Sequence, residues 1–86
     1  MKNQAYSELY RNYRSVVEDY KVTNDNIIRT KVEMARFWKY KNDYPADWKR
    51  MAEKLTDNRK KVALLKHVIR TLKGEMRTSN SNHPQN

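Results

Sequence analysis

The chain has no cysteine, one glycine and two prolines among its 86 residues. Without cysteine it has no disulfides and no thiolate metal sites, and it is compatible with a reducing compartment. One glycine is too few for strand-turn-strand architectures, which spend turn residues at every reversal. Histidine is also scarce: His67 and His83 are the two, and no pair of histidines has metal-site spacing. No apolar run approaches the ~18 residues that cross a bilayer. Met1-Lys2-Asn3-Gln4 leads into polar residues rather than into an apolar signal core. These absences predict a soluble, intracellular and cytoplasmic chain without a membrane span.

Enzyme chemistry lacks its inventory. There is no Gly-rich phosphate loop and no serine elbow, and Glu18 and Asp19 are neighbours whose side chains diverge on a helix. The expectation is a non-enzyme with no cofactor and no metal. His67 is expected on the surface.

What the chain has is charge. Lys and Arg total 19 against 10 Asp and Glu, a net of +9. Hydrophobic residues make up 37%, so a chain this short buries only a thin core, and the usual staples are missing. Oligomerisation or partner binding is the remaining way to complete it. Few breakers and many charges favour long helices.

Two helical segments surround one turn signal, Lys41-Asn42-Asp43-Tyr44-Pro45. Proline suits the first position of a helix and disfavours helix in the residue before it. The reading is all-α: an antiparallel two-helix hairpin over residues 1–77, with helices at about 3–40 and 45–77 joined by a turn at 41–45. Residues 78–86 are expected to be a disordered polar tail. Thr23-Asn24-Asp25-Asn26 is poor helix-interior material. A break there would give three helices, but the apolar phase continues through it and favours one.

On the first helix Tyr6, Leu9, Tyr10, Tyr13, Val16, Val17, Tyr20, Ile27, Ile28, Met34, Ala35 and Trp38 form the expected apolar side, interrupted by Asn24 and Lys31. On the second, Met51, Leu55, Val62, Leu65, Val68, Ile69, Leu72 and Met76 recur at helical spacing. Of these, Tyr6, Tyr13, Tyr20, Ile27, Trp38, Leu55, Val62, Leu65, Ile69 and Leu72 are expected to form the core or an oligomer interface. A lone hairpin leaves its flanks wet, so assembly into a helical bundle, as a homo-oligomer, is expected.

The functional signal is a basic stripe. Arg59, Lys66, Arg70, Lys73 and Arg77 fall within about 60° of one another on the second helix, beside its apolar side. No Glu stands four residues before any of them to pair along the helix. Lys60 and Lys61 point in other directions and would assist from the edge. Such a row over ~27 Å suits the phosphates of a nucleic acid or another polyanion. The competing account pairs these bases with Glu8, Glu18, Asp19, Asp25 and Glu33 of the first helix.

Aromatics lie among the bases, and such mixtures stack unpaired nucleobases, although the tyrosines have core spacing. Trp38, Tyr40, Tyr44 and Trp48 crowd the turn. The leading expectation is a non-enzymatic nucleic-acid-binding hairpin. The alternative is a protein-interaction module, such as a small adaptor, inhibitor or assembly factor, that binds an acidic protein surface with Trp48 as anchor. Membrane-surface binding by a basic amphipathic helix ranks third.

Overall fold

A computed structural model describes residues 6–81. It is a helical hairpin: α1 (Tyr6–Phe37), a single 3₁₀ turn (Trp38–Tyr40) and α2 (Pro45–Ser81). The helices run about 48 and 55 Å at 1.5 Å per residue. The molecule measures 68 × 15 × 14 Å. Two α-helical backbones with axes 8–10 Å apart are about 14 Å across in one direction, and the nearly equal second width fits a pair that winds about itself along its length.

α1 is unbroken through Thr23-Asn24-Asp25-Asn26. Thr23 explains how. Its Oγ1 donates to the Asp19 carbonyl at 2.8 Å, so the hydroxyl is satisfied by its own helix instead of competing with it. Glu8 in the first turn and Arg36 in the last suit the helix dipole.

The last turn of the expected first helix tightens to 3₁₀. The Tyr40 carbonyl then accepts the amides of both Asp43 and Tyr44 at 3.0 Å, and the Tyr44 carbonyl accepts the Trp48 amide at 3.2 Å. That last bond opens α2, with Pro45 at the first helical position where its missing N–H costs nothing. Asp47 sits in the same turn and pairs with Arg50 at 3.2 Å.

α2 passes through Gly74 and Arg77 to Ser81. The helix therefore continues four residues beyond the expected end at 77. No proline follows Gly74 until Pro84, and nothing there forces the helix to stop. The expectations for residues 3–5 and 82–86 lie outside the described residues. Among the described residues no helix is long and apolar enough to cross a membrane.

The contact between the helices follows one rule. One line of buried and half-buried positions on α1 steps alternately by four and three, Leu9, Tyr13, Val16, Tyr20, Thr23, Ile27, Thr30, Met34 and Phe37, with Val17, Asn24 and Asn26 half-buried beside it. α2 does the same with Trp48, Met51, Leu55, Asn58, Val62, Leu65, Ile69, Leu72 and Met76, all half-buried. A seven-residue repeat of this kind keeps two helices in contact along their length by slight supercoiling. These residues are the seam.

The seam differs from the expected apolar sides in several places. Tyr10, Ile28 and Ala35 are exposed and stand outside it, and Asn58 of α2 falls within it. Thr23 and Thr30 occupy it and are the most enclosed residues, 2% and 1% exposed. Lys31 is exposed and stands outside it. Phe37 takes the place expected for Trp38, which is 58% exposed. Tyr6, at the start of α1, is 43% exposed. Tyr13, Tyr20, Ile27, Leu55, Val62, Leu65, Ile69 and Leu72 are all half-buried.

The shared grooves give the register. Tyr20 lines one groove with Ile69, and Phe37 lines another with Met51. One step forward on α1 is thus one step back on α2. Seven residues back from Phe37 is Thr30, and seven forward from Met51 is Asn58. Thr30 and Asn58, two of the three polar seam residues (Thr23 is the third), therefore lie near one level.

Candidate nucleic-acid interface

Each residue of a helix is turned 100° from the last. Residues that directly follow a seam residue therefore line one side of the seam, and those that precede it line the other. Because α2 runs opposite to α1, the followers of both helices emerge on the same face of the hairpin. The grooves agree with this. One gathers Tyr20, Lys66, Ile69, Arg70 and Lys73, which are seam residues and followers. Another gathers Glu33, Phe37, Asp47, Arg50, Met51 and Lys54, which are seam residues and residues preceding them.

The charges divide along this line. The followers include Arg14, Lys21 and Lys31 on α1 and Lys49, Arg59, Lys66, Arg70, Lys73 and Arg77 on α2. That is nine bases, and no follower in either helix is acidic. The residues preceding the seam carry six acids (Glu8, Asp19, Glu33, Asp47, Asp57, Glu75) and five bases (Arg29, Arg36, Arg50, Lys54, Lys61). The first set forms the basic face and the second the back face. The net charge of +9 is matched in size by the nine bases of one face.

This layout bears on the pairing account. Glu8, Asp19 and Glu33 lie on the back face, and Glu18 and Asp25 on the outer edge of α1. None of the nine basic-face residues makes an ion pair among the described residues, where the pair shown is Asp47–Arg50.

The five stripe residues Arg59, Lys66, Arg70, Lys73 and Arg77 all stand exposed on the basic face. Lys61 stands on the back face, and Lys60 on the outer edge of α2. Reading one helix alone missed the contribution of α1. By the register, Lys31 lies near the level of Arg59, Lys21 between Lys66 and Arg70, and Arg14 between Lys73 and Arg77. Arg59, Lys66 and Lys73 repeat every seven residues, about 10.5 Å. The signal was present in the sequence as bases that follow seam residues, but it needs the two threonines to be read as seam.

Between Tyr20 and α2 the basic face carries an open groove of about 340 Å³ lined by Lys66, Ile69, Arg70 and Lys73. Tyr20 thus lines the groove together with three cations. Tyr10, which follows the seam residue Leu9, is exposed on the same face and stacks between Tyr6 and Tyr13, with ring centroids 6.5 and 6.4 Å apart. Chemically the face offers many N–H donors and positive charges along the length of the hairpin, with aromatic rings at intervals. This suits anion binding along a line rather than enclosure of a small molecule.

The aromatic turn is a separate structure. Trp38 and Trp48 meet edge to face at 5.7 Å, and Phe37 meets Tyr40 and Tyr44 at 6.1 and 6.2 Å. Trp48, the expected anchor for a protein partner, is half-buried against Trp38. His67 is exposed on the outer edge of α2. None of the protein-family models, curated proteins or solved structures compared with this chain matches it.

Proposed function

We propose that the chain is a non-enzymatic nucleic-acid-binding hairpin that holds phosphates along its basic face. The observation that supports this is the exclusion of every acid from the residues following the seam, on both helices. A solvated surface without a polyanionic partner has no use for that segregation, since interspersed charges serve solubility at lower repulsive cost. Arg59, Lys66, Arg70, Lys73 and Arg77 are the principal contacts, with Arg14, Lys21 and Lys31 extending the same face. The helices carry no base-reading module, so discrimination between nucleic acids rests on shape and spacing.

The test is binding to duplex DNA and to structured RNA across a salt series from about 50 to 200 mM, over which phosphate-driven affinity falls steeply. Expected is binding that weakens with salt and is lost on the double change Arg70→Glu and Lys73→Glu. No binding to either nucleic acid at the low-salt end would overturn the reading. A specific acidic protein retained from a nuclease-treated lysate, with no nucleic acid binding, would replace it with the protein-interaction reading.

A further inference from the structure

The back face carries a different message from the basic one. Its middle is apolar and unpartnered: Leu64 is 63% exposed and Val22 50%. Both precede seam residues. On either side of this patch the charges are sorted by end. Toward the free ends of the hairpin the face bears Asp19 and Glu75, with Glu8 beyond them and no base among the described residues. Toward the turn it bears all five of its bases against three acids. The face is therefore negative at one end and positive at the other, with aliphatic side chains between.

We propose that this face binds a second copy of the chain in a two-fold antiparallel arrangement centred on Leu64. The numbering supports the centre. Midway between Asp19 and Arg29 is residue 24, and midway between Lys54 and Glu75 lies the Leu64–Leu65 step. Tyr20 shares a groove with Ile69, so four residues on from Tyr20 and four back from Ile69 put residue 24 level with Leu65. Two independent opposite-charge pairs, one on each helix, thus share one midpoint, and the most exposed large hydrophobic residue sits there.

A two-fold axis lying in the back face at that level, across the long direction, stacks α1 on α1 and α2 on α2. Asp19 then meets Arg29 of the second copy, Glu75 meets Lys54 of the second copy, and Leu64 meets its own equivalent. An isologous contact requires this self-complementarity. The basic face could not serve, because it would set nine cations against nine. The arrangement leaves both basic faces pointing outward on opposite sides of the dimer.

The experiment uses the full chain free of nucleic acid, so its outcome is separate from that of the binding test. Sedimentation equilibrium is run at about 100 µM, where a micromolar dimer is mostly assembled. Expected is twice the 10.4 kDa chain mass. Leu64→Lys, at a site exposed in the hairpin, should weaken dimerisation about tenfold or more with helicity unchanged. Asp19→Arg should weaken it and Asp19→Arg with Arg29→Asp should restore it. Leu64→Cys should form a disulfide-linked dimer on mild oxidation, and Arg70→Cys should not. A wild-type mass of one chain at that concentration would overturn the proposal. So would a dimer indifferent to Leu64→Lys, or faster linkage through Arg70→Cys.

Discussion

The Lys41 ammonium lies 3.6 Å from the centre of the Trp38 ring and 5.7 Å from that of Trp48. A cation on the face of tryptophan is worth roughly 0.5–2 kcal/mol. Lys41 is half-buried there, so the connection between the helices is closed by a cation between two indoles. Lys41→Gln should lower stability by about 1 kcal/mol and alter tryptophan emission. Lys39, 5.5 Å from the neighbouring Tyr40 ring and exposed, provides the control. Lys39→Gln should change both readings much less.

Thr30 should be a stabilising site for an apolar replacement. Its Oγ1 is buried and has no hydrogen-bond partner, and a buried unsatisfied hydroxyl costs about 1–3 kcal/mol. Thr30→Val keeps the shape and removes the cost. Thr23→Val should gain much less, because that hydroxyl already donates to Asp19 at 2.8 Å. Paired thermal melts check the difference. Equal gains at both sites would contradict the assignment of the two hydroxyls.

Gly74 is a helix-interior glycine, and a Cβ built on it meets nothing within 4 Å. Gly74→Ala should stabilise by about 0.5–1 kcal/mol through helix propensity alone. Far-UV circular dichroism through the melt measures it, and a loss of stability would show that the position has a contact the hairpin does not account for.

The basic face makes a prediction that a single-helix stripe does not. Lys31→Glu, on α1, should weaken nucleic-acid binding and lower the salt slope by about one for the lost contact. Lys61→Glu, within the sequence run Arg59-Lys60-Lys61 but on the back face, should have the smaller effect. The reverse ranking would return the interface to α2 and its basic run.

The hairpin itself was legible in the sequence because its signals are local. Pro45 marks the start of α2, and the near absence of glycine leaves two long helices with little else to do. The seam was only partly legible. Thr23 and Thr30 count as polar in any hydropathy reading, yet they occupy seam sites that the steps of four and three assign to them.

Lys31 and Trp38 were misplaced for a related reason. A straight helix with 3.6 residues per turn drifts about 20° per seven residues against the seam. By the end of α1 a projection from Tyr13 and Tyr20 has drifted far enough to include Lys31 and Trp38 and to leave out Phe37. The supercoiled pair follows the seam instead. The basic face inherits this error, because which bases share a face depends on where the seam runs.

The rod-like section of two helices has a consequence for how the molecule comes together. Every contact between α1 and α2 closes a loop through the turn, and that loop lengthens steadily from Phe37 and Met51 to Tyr13 and Met76. Longer loops cost more entropy to close, so the first affordable closure is beside the aromatic turn, and later ones add in order toward the free ends. Opening runs the other way. The hairpin behaves as a zipper with a fixed clasp, in which amide protection falls with distance from Trp38 and Trp48, and in which damage at the clasp slows assembly while damage at the free ends mainly hastens fraying.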